Sequence, residues 1–196
     1  MGCDIHLFTE RKRCINSKDA WVNIDNRKPN PYFKEGNEYG ESMYSLNSAY
    51  RTRNYNLFSM LADVRNRSGN KYIADPKGLP EDVSSVVKKE SDSWASDGHS
   101  HSFFTMKELY DFQAENTTQK YSGLVDSEGS KEIDLGEMPD WWCGGSTQKD
   151  LVYREWTQEN TTLNSFIQDL ENHFKSEYYN KEEDAENFRI VFWFDN

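Results

Sequence analysis

Residues 188–194 read FRIVFWF, and this stretch decides the fold. Arg189 is its one charge, so an extended strand here is apolar on both faces. Such a strand is covered on both sides, which places it in the middle of a sheet. A partner is legible at the other end of the chain. Residues 3–10 read CDIHLFTE, with Cys3, Ile5 and Leu7 alternating with Asp4 and His6. Period two predicts a strand that points Asp4 and His6 the same way. WVNID at 21–25 and LVYREW at 151–156 read as further strands.

Helical spacing appears between these segments. Leu57, Phe58, Met60, Leu61 and Val64 form one face over 57–67, with Asn56 as a cap and Gly69 as a stop. A short helix is expected over 83–91, after the turn segment DPKGLP at 75–80. Thr105 and Glu108 form a capping box for a helix over 106–115. The longest stripe runs over 162–178 through Leu163, Phe166, Ile167, Leu170 and Phe174; His173 lies on it and reads as a partly buried structural residue. Residues 26–50 and 116–150 read as irregular loops. The expected fold is α+β. It is a single domain over 1–196, mainly an antiparallel sheet of N- and C-terminal strands packed on three to four helices, with long irregular loops.

Composition narrows the function. Hydrophobic residues make up 35% of 196 residues, but six Trp, eleven Tyr and eleven Phe supply large apolar faces for a core. A net charge of -11 argues against a duplex nucleic-acid footprint. Cys3, Cys14 and Cys143 are odd in number and without a CxxC pair, as suits a reducing cytosol. No apolar h-region opens the chain and no apolar run approaches a membrane span, so neither a secretory signal nor a membrane segment is expected. The opening MGCDIH lacks the Ser or Thr of a myristoylation signal, His6 standing in its place.

Two stretches carry the chemistry. In DIH, Asp4 and His6 at i and i+2 on a strand can chelate or bridge divalent metal; the bland alternative is a hydrogen-bonded Asp beside a core His. In DGHSHS at 97–102, His99 and His101 in an extended loop present two rings to one point. Gly98 permits close backbone approach, and Asp97 binds metal or orients a ring. If the stretches converge, Asp4, His6, His99 and His101 form a site for zinc, manganese, iron or nickel, with Asp97, His99 and His101 catalytic. Arg51, Arg53, Arg65 and Arg67 are dense positives in an acidic chain and suit phosphate. Arg53, Tyr55, Arg65, Trp94 and Ser100 are the candidate ligand contacts. There is no GxSxG elbow, Walker loop or GxGxxG.

With DIH, RNYNLF, PKGLP, DGHSHS and IVFWFDN in view, the chain resembles the phage and prophage proteins that begin MGCDIH and carry a central GDGHSHS. Ser96 stands where that motif has its first Gly. The resemblance runs from Gly2 to Asn196 and implies a phage setting in the cytoplasm of an infected bacterium, without a reaction. DIH at 4–6 and GHSH at 98–101 also resemble the first and last motifs of metallophosphoesterases, whose GDxxD and GNHE motifs are absent. Two functions follow as expectations. One is a metal-dependent hydrolase of a phosphoester or nucleotide, a host immune signal among them. The other is a non-catalytic counter-defence protein that sequesters a nucleotide messenger, or blocks a host nuclease or guide-RNA effector with its acidic surface.

Overall fold

A computed structural model describes residues 2–36 and 43–195. In chain order these residues form β1 (Ile5–Ile15), β2 (Lys18–Asn23), β3 (Asn26–Pro29), β4 (Tyr44–Asn47), α1 (Tyr55–Ala62), α2 (Ser85–Trp94), β5 (His99–Thr105) and α3 (Met106–Glu115). There follow β6 (Thr118–Val125), α4 (Ser127–Asp134), β7 (Val152–Glu159), α5 (Thr161–Phe174), a 3₁₀ turn (Lys175–Glu177), α6 (Lys181–Asp184) and β8 (Phe188–Phe194). The fold is α+β, with six α-helices among the described residues rather than three to four. The chain divides into two compact units. Unit 1 comprises Met1–Arg53, Pro76–Leu109 and Phe166–Asn196; unit 2 comprises Asn54–Asp75 and Tyr110–Ser165.

Unit 1 is built on a four-stranded antiparallel sheet of order β2-β1-β8-β5. The terminal strands pair from Ile5↔Phe194 to Arg11↔Phe188, and all of FRIVFWF is buried between β1 and β5. The central placement read from its two apolar faces therefore holds. On one face Phe8, Val191 and Trp193 gather Val87 of α2, with Leu46, Val83, Trp94 and Phe103 around them. The other face carries Phe192 against Phe104 and Phe188 against Phe174, with ring centroids 5.8 and 4.9 Å apart. Each such ring contributes about 1.5–3 kcal/mol on full burial. The β1–β2 hairpin turns at Asn16 and Ser17, both at positive φ as a two-residue I′ turn requires.

The one charge of β8 is matched across the sheet. Arg189 lies opposite Glu10, its Nε donating to Glu10 Oε2 at 2.7 Å and its Nη1 to Asp82 at 2.8 Å. Glu10 also accepts the Ser84 backbone N–H at 2.8 Å, and the Ser84 hydroxyl caps α2. His173 is partly buried, as its place on the stripe suggested, with Nε2 at 3.2 Å from Asp25 and from Thr9 Oγ1.

Unit 2 holds the β6–β7 ribbon, whose inner face packs Tyr121, Val125 and Trp156 with Ile133 of α4. The Asp126 side chain caps α4.

Several boundaries differ from the sequence reading. The 116–150 loop contains β6 and α4. The inward positions of β6 include Gln119 and Gly123, so its alternation is hidden in hydropathy. The 26–50 loop contains the short pair of exposed β3 and half-exposed β4; its residues 37–42 lie outside the described residues. Helix α1 is capped by Asn54 rather than Asn56, and stops at Asp63 in the left-handed region (φ 59) instead of reaching residue 67. Of the expected DGHSHS loop, Asp97 and Gly98 lie before the strand and His99 opens β5. The capping box is present: Thr105 N donates to Glu108 Oε2 at 2.7 Å, and Glu108 N to Thr105 Oγ1 at 3.2 Å.

Candidate functional site

Pairing in unit 1 decides where the histidines go. His6 lies opposite Trp193, and His99 opposite Phe194. Consecutive residues of β8 point to opposite faces, so these two histidines do too. Between His99 and Ser102 the register shifts, with Ser100 at φ 53. That extra residue is a β-bulge, and it cancels the period-two rule across HSH. His99 stacks on Phe194 at 6.1 Å, while His101 stacks on Trp193 at 5.3 Å. The two rings do not meet at one point, as a regular strand would have required.

One face of the sheet therefore carries a row of His6 (β1), Trp193 (β8) and His101 (β5). Trp94, at the end of α2, lies over His6 with centroids 3.9 Å apart. A Cβ on Gly98 would stand 3.2 Å from Trp94 Cβ and 3.3 Å from His101 Cε1 and Trp193 Cδ1, so close packing accounts for the glycine of DGHSHS. His101 Nε2 hydrogen-bonds Ser91 Oγ at 3.0 Å, and burial, aided by nearby His99, pushes its imidazole below the ordinary value. His99 Nδ1 meets Ser100 Oγ at 3.0 Å. Buried His99 Nε2 and Trp193 Nε1 have no hydrogen-bond partner among the described residues.

DIH and GHSH thus reach the same end of one sheet, but Asp4, His6, His99 and His101 do not assemble as ligands. Trp193 stands between His6 and His101, and His99 faces away. His6 Nε2 is taken by Asp195 Oδ2 at 3.1 Å. Asp4 accepts two hydrogen bonds from Arg53, at 2.8 and 2.5 Å, which hold its carboxyl below the usual carboxylate value. Among the described residues no three His, Cys, Asp or Glu side chains group to hold an ion. Zinc, manganese, iron or nickel on that set is not supported by this donor geometry.

Beside the row lies a cavity of about 540 Å³ in unit 1. Asp4, His6, Asp195 and Glu90 line it together with Arg51, Ser48, Tyr44 and apolar Leu46 and Phe8. Ser48 Oγ donates to Leu7 O at 2.5 Å, and Arg51 to the Leu46 carbonyl, so the loop bearing both is tied to the wall. Asp195 is fixed by the Asp4 backbone N–H at 2.9 Å.

The remaining candidates are scattered. Asp97 is exposed, its backbone N–H closing on Trp94 O at 2.9 Å. Arg53 is committed to Asp4, Trp94 to His6 and Ser100 to the bulge. Tyr55 and Arg65 belong to unit 2, Tyr55 edge-on to Phe58 at 5.8 Å and Arg65 at φ 57. Sequence reasoning missed Asp195 and Glu90. Asp195 was accessible: antiparallel pairing of the two terminal strands sets it beside Asp4.

No family model, curated protein or solved structure matches the chain.

Proposed function

We propose that the protein is a non-catalytic binding protein whose unit 1 cavity captures a small nitrogenous ligand. The wall carries this reading: among the described residues Asp4, Glu90 and Asp195 line the space with Arg51, and since Asp4 is paired with Arg53 and Asp195 with His6, Glu90 is the carboxylate left to meet a ligand. Ionised carboxylates only accept hydrogen bonds, so the fitting ligand brings donors, such as amino groups or ring N–H groups. A nucleotide entered base first meets this requirement, its phosphates directed outward past Arg51. In the phage setting that the MGCDIH and DGHSHS segments resemble, the reading becomes sequestration of a nucleotide messenger of host defence.

One observation favours hydrolysis instead. Asp195 bonded to His6 Nε2 is the arrangement that orients an imidazole for general-base work. That form needs no metal ligand set, and the same experiment distinguishes it.

The test is calorimetric titration with adenosine, cytidine, their 5′-monophosphates and inorganic phosphate, followed by chromatography of the ligand released on denaturation. The expected result is one-to-one binding of a nucleoside, no binding of phosphate alone, and intact ligand recovered. Glu90→Gln removes one charge-assisted acceptor of about 1.5–3 kcal/mol, weakening affinity by roughly tenfold or more. Preference for phosphate, or no binding by any probe, overturns the proposal; release of product supports the hydrolytic reading over it.

A further inference from the structure

Unit 2 contains a separate cleft of about 310 Å³, continuous in its lining with a neighbouring depression of about 380 Å³. Asn70, Lys71, Phe112, Glu115 and Asn116 line both. Its floor is built from two buried amides. Asn70 Oδ1 accepts the Lys120 N–H at 2.7 Å, and Asn70 Nδ2 donates to Lys120 O at 3.1 Å. Asn160 Nδ2 donates to Asn116 O at 2.9 Å, and Asn160 N to Thr117 O at 2.8 Å. The first clamp ties the residue before Lys71 to the backbone of Lys120, and both lysines line the cleft, so two cations border one opening.

Both lysines are exposed, and among the described residues neither forms an ion pair with a carboxylate. Asp and Glu outnumber Lys and Arg in this chain by 34 to 23, so two unspent lysines on one cleft are a local reversal of sign. Among the described residues Glu115 is the one carboxylate lining the cleft, against the two lysines, while Asp75 stands beside the neighbouring depression, its carboxylate accepting from Tyr72 OH at 3.3 Å. Thr117, Thr118 and Thr157 add hydroxyls to the wall, and Phe112 and Met60 an apolar side.

We propose that this cleft binds a phosphorylated sugar. Lys71 and Lys120 take the phosphate as point charges, the threonine hydroxyls and Asn116 take the sugar hydroxyls, and Phe112 covers its apolar face. The proposal is independent of the unit 1 cavity, and a probe without a base tests it alone. Ribose 5-phosphate is titrated into labelled protein and followed by amide NMR shifts, with ribose and inorganic phosphate as controls.

Saturable shifts are expected at Lys71, Thr118 and Lys120, with ribose 5-phosphate binding more tightly than either control. Lys71→Gln/Lys120→Gln loses two charge-assisted contacts and weakens binding by about tenfold or more, with the amide spectrum away from the cleft unchanged. Phe112→Ala brings ribose 5-phosphate closer to inorganic phosphate. Absence of saturable shifts at these amides, equal binding of phosphate alone, or unchanged affinity in the double variant overturns the proposal.

Discussion

Arg189→Met tests the physical core of unit 1. The side chains of Glu10 and Arg189 are 0% and 4% exposed, so the pair is out of water. Two of the Arg189 nitrogens lie 2.7 Å from Glu10 Oε2, and its guanidinium lies 4.0 Å over the Trp21 ring. Methionine keeps much of the stem and removes the charge. Glu10 then retains only the Ser84 N–H, and an uncompensated buried carboxylate costs about 3–5 kcal/mol, a large part of a domain's stability. Asp82, 66% exposed, is the contrast: Asp82→Ala costs less than about 1 kcal/mol. Glu10→Gln/Arg189→Met recovers most of the loss, because a neutral amide still accepts from Ser84. The assay is urea unfolding followed by circular dichroism and by tryptophan fluorescence, comparing midpoints at constant m. Because Ser84 caps α2, which carries Glu90 and Trp94, the single variant also weakens ligand capture. A loss below about 1 kcal/mol for Arg189→Met, equal to that of Asp82→Ala, would mean that the Glu10–Arg189 pair is not held out of water.

Three further outcomes follow from the site. Ser100→Val puts a β-branched residue at φ 53 and destabilises by about 1–2 kcal/mol, seen as a lower urea midpoint; no change would mean that the bulge is not there. Arg53→Met releases the Asp4 carboxyl upward toward 3.8, measured by carbon NMR titration. The depressed pKa means that this pair stabilises the fold above about pH 3.8 and that its contribution fades as pH falls through the folded value; Arg53→Met removes the fading. For His101 both states are neutral well above 6.5; as pH drops below it the unfolded chain takes the proton first, so stability declines. His101→Gln flattens that part of the pH–stability curve, and an unchanged slope would contradict the burial argument.

What the sequence revealed, and what it hid, has a physical pattern. FRIVFWF and CDIHLFTE carry enough apolar area to announce their place, and they correctly set the terminal strands in one antiparallel sheet. Thr105 and Glu108 announce a helix start by local hydrogen bonding alone. Strand β6 was hidden because Gln119 and Gly123 fill inward positions that pattern reading expects to be apolar. The histidines were misplaced for a subtler reason. Spacing fixes which way a side chain points only while the strand is regular, and one left-handed residue, Ser100, turns His99 from His101. No composition rule foretells a serine in that conformation. Asp4 and His6 do share a face as expected, but their partners, Arg53 and Asp195, come from distant parts of the chain.

Native mass spectrometry of the protein with adenosine and manganese present together separates nucleoside capture from metal binding. The expected spectrum shows a complex with the mass of one protein and one intact nucleoside, formed equally well without manganese, and weakened in Glu90→Gln. A stoichiometric manganese adduct lost in His99→Ala/His101→Ala, with the nucleoside unbound, would contradict it.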